Sequence, residues 1–335
     1  MSNVYDALLR HPMLLTSNTT ILGNEAQLSG PWLEHVKTHN IKISTTDWLT
    51  AQAYRGHISD DDITFGPTDV STLKDKVVIL LWPKSKVEGL TLLTMLASVA
   101  TSCYVVAAND AGGKSIKSAT KEIANDCTKI DSARHCGFWS LDFKPTVVAP
   151  NWLKYARSFT ADERSFLTLP GVFGHGKLDK GTALLLENIP APAHGRILDL
   201  GCGSGVIGLT MKVRNPKLDV ILTDVDALAL RSAELNSVRL GQTVEILASD
   251  GLEDVSGRFD YIFSNPPFHQ GKRTDYDFAL RLFRDARRQL TRDGQVWIVA
   301  NRHLGYEEWA AESFNKVDVM VQAHGFKLLC VSHPK

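Results

Sequence analysis

Short apolar runs recur through the second half of the chain, with room for a helix between most successive pairs. Residues 196–200, 218–223, 243–247, 261–264 and 295–299 are rich in Ile, Leu, Val and aromatic side chains. Runs this short and this apolar predict strands buried on both faces. Residues 226–240 and 276–290 place their apolar positions at helical spacing instead. Strand alternating with helix predicts a parallel, doubly wound sheet. The first half shows the same pattern: 76–81 and 103–107 are buried-strand candidates around a helical stretch at 89–99, and 21–23 is the opening strand. The two prolines of KPTVVAPNW (144–152) disfavour helix and mark the junction. The expectation is an α/β protein of two tandem doubly wound, Rossmann-like domains at 1–148 and 163–335, joined by a linker at 149–162.

Composition narrows this picture without changing it. With 335 residues, 44% hydrophobic and 22% charged, the chain is long enough for two cores and is no disordered tail. Its 37 basic and 37 acidic residues cancel, so any binding of nucleic acid rests on local patches. The longest apolar runs, 77–82 and 103–108, have six residues each, against roughly 20 needed to cross a bilayer. No secretory pattern opens the sequence, and the expectation is a cytoplasmic protein with no membrane contact. Five scattered cysteines with no CxxC pair argue against a disulfide framework and a zinc site, so no metal is expected.

The candidate chemistry gathers at the ends of the predicted strands. RILDL runs straight into GCGSG, where Gly201, Gly203 and Gly205 let the backbone turn tightly and approach a ligand. The GxGxG spacing differs from the dinucleotide GxGxxG, and Asp199 at the strand end suits a ligand bearing an ammonium group. Asp224 ends the next strand, where a carboxylate can accept both ribose hydroxyls, with Asp226 as the neighbouring alternative. Asp250 ends the third, where it can accept from an adenine amino group. Three acids at three successive strand ends describe an adenosine pocket. After the fourth strand stands SNPPFH (264–269). Asn265 offers a neutral acceptor and Pro266 a carbonyl that no following amide ties up, so the turn can grip an NH2 group. Phe268 supplies a face on which a base can stack, worth about 1–3 kcal/mol, and His269 is a candidate proton relay. Residues 272–292 hold seven basic side chains against three acids, with Arg281, Arg284 and Arg288 at helical spacing. Lys114, Lys117 and Lys121 are spaced likewise in the first half. Both stripes are candidate contacts for RNA phosphates, and a solvated helix face is the plain alternative.

DLGCGSG together with NPPF resembles the S-adenosylmethionine-dependent methyltransferases that modify exocyclic or amide nitrogens. LPGVF (169–173) and LDKGT (178–182) resemble the entry to the catalytic domain of bacterial ribosomal RNA guanine-N2 methyltransferases. LLRH (8–11), WPKSK (82–86) and KIDSAR (129–134) resemble the non-catalytic N-terminal domain of the RsmC family, so the resemblance covers essentially the whole chain. It implies S-adenosylmethionine as cofactor, with Thr182 at its site and Phe173 at the substrate. It further implies a guanine in the helix 34 region of 16S ribosomal RNA as acceptor, with the 30S subunit as setting; a paired guanine must flip out to reach such a pocket, and two fused α/β domains suggest a monomer. Residues 265–304 are also similar to a sister family acting on 23S RNA, and an aromatic after NPP serves protein glutamine-N5 methyltransferases too. The N-terminal motifs favour the small-subunit reading. That N-terminal domain has Gly23-Asn24-Glu25 where a cofactor loop would stand, so it is expected to dock substrate and bind no cofactor.

Overall fold

The computed structural model describes residues 3–146, 151–266 and 272–335. The chain divides into two compact units, Met1–Tyr155 and Ala156–Lys335. This boundary falls inside the stretch assigned to the linker, and Arg157–Ala161 within that stretch is a strand of the second unit.

The first unit contains β1 (Thr19–Leu22), β2 (Lys42–Thr45), β3 (Ile63–Phe65), β4 (Val77–Leu81), β5 (Ser102–Ala108), β6 (Ala124–Ala133) and β7 (Cys136–Phe143). The second opens with a hairpin, β8 (Arg157–Ala161) and β9 (Arg164–Thr168). It continues with β10 (Arg196–Leu200), β11 (Asp219–Asp224), β12 (Glu245–Ala248), β13 (Phe259–Ser264), β14 (Leu290–Asn301), β15 (Phe314–Ala323) and β16 (Phe326–Pro334). The sheets run β3-β2-β1-β4-β5-β7-β6 and β12-β11-β10-β13-β14-β16-β15, which is one strand order used twice. In each sheet the first five strands are parallel and the penultimate strand in the order, β7 or β16, is antiparallel to both neighbours. Both units are therefore Rossmann-like, as the apolar runs imply.

The order reverses between β1 and β4 in the first unit and between β10 and β13 in the second. Crossovers leave the sheet in opposite directions there, and a crevice opens beyond the strand ends. The glycine loop after β10 and the Asn265 turn after β13 flank that crevice.

Side-chain alternation sorts the second sheet into two cores. Leu198, Leu200, Ile262, Val296 and Ile298 pack against Leu282, Phe283 and Ala286 of helix Lys272–Gln289. Ile197, Phe263 and Val299 pack against Leu184, Leu185, Leu209 and Ala233 on the other face. Asp199 shares a face with Ile197, so it points beneath helix Val206–Arg214. All five cysteines are buried and unpaired. No helix among the described residues is long and apolar enough to cross a membrane, and none of their His, Cys, Asp and Glu side chains cluster as a metal site.

One buried polar side chain ties this unit's separate parts together. Asn236, fully buried in helix Ala227–Arg239, accepts from Leu167 N–H at 2.8 Å and donates to Leu167 C=O at 2.8 Å and Ser204 C=O at 2.9 Å. Its amide pairs with β9 as a neighbouring strand would, and it holds the glycine loop with the same NH2 group. One turn earlier, Ser232 Oγ accepts from Leu169 N–H at 3.0 Å. Removing the Asn236 amide leaves three backbone groups without partners, each costing about 1–3 kcal/mol where it stays dry. We expect Asn236→Ala to lower the unfolding free energy of the chain by roughly 3 kcal/mol in urea titration. A loss below about 1 kcal/mol would mean that water replaces the amide.

Candidate active site

The glycine loop is shaped by two different demands. Gly201 and Gly203 have φ of 68° and 55°, and a Cβ placed on either would meet no atom within 4 Å. Space beyond the loop is open there, and the backbone can approach a ligand directly. Gly205, at φ 78°, is held by packing as well, because its Cβ would lie 3.0–3.2 Å from Leu209, Leu222 and Ala233.

Asp199 is 1% exposed. Its Oδ2 accepts from Gly208 N–H at 2.8 Å, and its Oδ1 has no partner among the described residues. Burial pushes its carboxyl up to about 7, against the pull of the Gly208 amide, and Asp224 adds to the rise. Asp224 Oδ2 accepts from Gly203 N–H at 2.8 Å and Oδ1 from Asp226 N–H at 3.0 Å. Burial raises this carboxyl too. Each of its oxygens keeps a second lone pair for a hydroxyl. Asp226 instead caps helix Ala227–Arg239, accepting from Leu228 N–H at 2.9 Å. An orphaned buried carboxylate oxygen beside open glycines fits a ligand that brings an ammonium group and hydroxyls.

Across the crevice, Asn265 donates from Nδ2 to Asp179 Oδ2 and to Thr182 Oγ1, each at 2.9 Å. A carboxylate can only accept, so this partner fixes which end of the amide is which. Asn265 Oδ1 is left buried with no donor among the described residues. Asp179 also caps helix Lys180–Asn188 through Gly181 N–H at 2.8 Å and Thr182 N–H at 3.2 Å. Gly181 makes the approach possible: a Cβ there would stand 3.0 Å from Asn265 Oδ1 and 2.9 Å from Val299 Cγ1. Asp179 and Gly181 are thus site residues that strand-end reasoning missed, although LDKGT has the acid-then-glycine form of a capped helix start. Thr182 was expected at the cofactor and is found on Asn265.

Other expected residues are placed differently. Arg281, expected to face RNA, forks onto Asp250, with Nη1 on Oδ2 at 2.7 Å and Nη2 on Oδ1. This pair puts one donor on each Asp250 oxygen, a contact that neither residue's position in the sequence signals. Arg284 and Arg288 are exposed, and Arg284 Nε lies 3.0 Å from Asp285 Oδ1. Phe173 is 56% exposed and Pro266 is buried. Phe268 and His269 lie outside the described residues. In the first unit Lys114, Lys117 and Lys121 are exposed but do not share one helix. Lys114 is in the 3-10 turn Gly113–Ser115, Lys117 is in the single turn Ile116–Ala119, and Lys121 lies beyond both.

Residues 163–330 match the family model for the methyltransferase small domain, and residues 6–159 the model for its N-terminal domain. The chain is 34% identical to the ribosomal RNA small subunit methyltransferase C of Hahella chejuensis, over 98% of each chain. It is 38% identical to that of Pseudoalteromonas translucida over 75% of each. The chain belongs to the RsmC family. Its fold is similar to that of the T. thermophilus RsmC 16S rRNA N2 methyltransferase, solved with AdoMet and guanosine, with a TM-score of 0.77 at 20% identity over 99% of this chain and 92% of that one. As an RsmC-family methyltransferase it uses S-adenosylmethionine, which fits the orphaned Asp199 oxygen and the open glycines.

Asp199 supplies a pH signature. Its folded-state value of about 7 lies above its ordinary 3.8, so the contribution of this proton to stability is complete below about 4 and lost as pH rises through about 7. We expect the unfolding midpoint of the ligand-free chain to fall more from pH 5 to pH 8 than that of Asp199→Asn, which should also lose cofactor affinity in calorimetry. Equal pH shifts in the two chains would remove Asp199 as a buried proton holder.

Proposed function

We propose that the chain transfers a methyl group from S-adenosylmethionine to the exocyclic N2 amine of a guanine in 16S ribosomal RNA. The observation that carries this reading is the buried Asn265 Oδ1, an acceptor whose amide hydrogens are both committed elsewhere. Relatives matched over the whole chain are named for the small subunit, and the T. thermophilus neighbour is described with guanosine. The acceptor guanine lies in the helix 34 region, within the 30S subunit, and the enzyme acts as a cytoplasmic monomer.

Asp199, Asp224 and the Gly201–Gly205 backbone would hold the cofactor, which supplies an electrophilic methyl group on a sulfonium. The remaining work falls to the chain's own residues. A guanine N2 lone pair is delocalised into the ring and is a poor nucleophile. Asn265 Oδ1 accepts one N2–H, and the Pro266 carbonyl takes the other, which favours a pyramidal nitrogen with its lone pair turned toward the methyl. Positioning and exclusion of water provide the acceleration without a strong base. The released proton leaves through solvent or His269. A paired guanine must first leave the helix at a cost of a few kcal/mol, which stacking on Phe268 offsets. Phe173 and Arg284 contact the RNA outside the pocket, and Lys114 and Lys117 add phosphate contacts from the first unit.

The direct test offers labelled S-adenosylmethionine with unmodified 30S particles, naked 16S RNA and 50S particles. Label in 16S guanine N2 is expected, and label confined to 50S particles would overturn the reading. Asn265→Ala should lower kcat about a hundredfold, with cofactor Kd changed less than about twofold. Thr182→Val removes only an acceptor for the Asn265 amide, and we expect about a tenfold loss of kcat. A weakened cofactor Kd in that variant would return Thr182 to the cofactor.

A further inference from the structure

The first unit has a cavity of about 440 Å3, within the range of small-ligand sites. Trp82, Lys84, Lys86, Asp110, Gly112 and Ser115 line it. These residues follow β4 and β5. With one strand order used twice, β4 is the counterpart of β13, so Trp82-Pro83 stands where Asn265-Pro266 stands in the second unit. The cavity therefore lies on the methyl-acceptor side of the duplicated fold.

The cofactor side of the first unit is closed. A Cβ on Gly23 would lie 2.7 Å from Leu81 Cβ and 2.8 Å from its carbonyl oxygen, so this glycine serves packing. The next residue, Asn24, turns its side chain into the protein. Its Oδ1 accepts from Thr45 Oγ1 at 2.8 Å and Thr46 N–H at 3.1 Å, and its Nδ2 donates to Thr46 Oγ1 at 2.9 Å. No open glycine loop is left to approach a ligand there.

The cavity has the chemistry of a nucleotide site. Trp82 is half-buried, its backbone N–H bonded to Val106 C=O at 2.8 Å. Its ring edge sits over Gly89, where a Cβ would come within 2.9 Å of two indole carbons. On another side Gly112, at φ 91°, would place a Cβ 3.5 Å from the indole Nε1. Two glycines thus give the indole a fixed seat, and a preset aromatic face favours stacking of any base. Lys84 and Lys86 are exposed cations at the rim, opposed by the single acid Asp110, which offers an acceptor to a base amino group. Lys114 and Lys117 extend the positive charge along the same segment.

We propose that this cavity binds one unpaired nucleotide of the ribosomal RNA substrate, with the base on Trp82 and the phosphate at Lys84 and Lys86. The inference rests on the reading of the substrate as RNA, so its test is arranged to separate the two. Fluorescence anisotropy of the full-length chain with a labelled decauridylate, in the absence of cofactor, measures the pocket whether or not methyl transfer occurs. Trp82→Ala should weaken binding about tenfold, and Trp82→Phe should restore most of it. Lys84→Glu with Lys86→Glu, both at exposed positions that do not threaten the fold, should weaken binding and flatten its salt dependence by one to two phosphate contacts. With ribosomal substrate the same variants should raise KM while leaving kcat and cofactor Kd within about twofold. Ultraviolet cross-linking should map to the peptide containing Trp82. Unchanged decauridylate affinity in both the tryptophan and the lysine variants would overturn the pocket, and so would cross-links that avoid this peptide. A wild-type chain that binds decauridylate through Trp82 but methylates no ribosomal RNA would leave the pocket standing and remove the proposed substrate.

Discussion

Asn265 presents a bare carbonyl oxygen because Asp179 and Thr182 take both hydrogens of its amide. The second unit is built to keep those three side chains together. The strand order brings β13 beside β10, which puts Asn265 on the crevice opposite the glycine loop. Helix Lys180–Asn188 must then arrive N-terminus first, with no Cβ at Gly181, or its second residue would press on the oxygen it helps to position. The chain entering that helix is in turn tied down by Ser232 and Asn236, and Asn236 also holds Ser204 of the glycine loop. Cofactor loop and acceptor turn thus share one helix as a common anchor, so a disturbance of Ala227–Arg239 reaches both sides of the reaction.

The central parallel strands were legible in the sequence because both faces are covered and their side chains are mostly apolar, whereas β2 (KIST) and β3 (ITF), short and more polar, carry no such run. The strands at one edge of each sheet were not. β6 (ANDCTKIDSA) and β15 (FNKVDVMVQA) expose half or more of their residues and have no apolar run longer than three. Their hairpins turn through Arg134-His135 and His324-Gly325, both pairs at positive φ. The usual signal for such a turn is Asn-Gly, and a histidine or arginine in that conformation gives no sequence warning.

The site was legible to the extent that its logic is local. A glycine loop and acids at strand ends show themselves within a few residues. What each acid does depends on a partner far along the chain: Asp250 is matched by Arg281, 31 residues on, and Asp179 by Asn265, 86 residues on. Spacing arguments see the strand end but not the helix that crosses it. Position alone points Asp250 to adenine and Arg281 to phosphate, and the ion pair that the fold adds between them has no local signal.

The duplicated fold offers an internal control on which features serve ligands. Counting back two residues from the glycine after the first strand of each sheet gives Asp199 in the second unit and Ile21 in the first. Both are 1% exposed and both face a helix. Ile21 gains stability from that burial, whereas Asp199 is desolvated with one oxygen unmatched and its proton affinity raised as a result. A fold that accommodates isoleucine at this station has no structural need for a carboxylate. The Asp199 carboxylate is a local stability cost that only a ligand can offset, which marks the second unit, and not the first, as the one built around a cofactor.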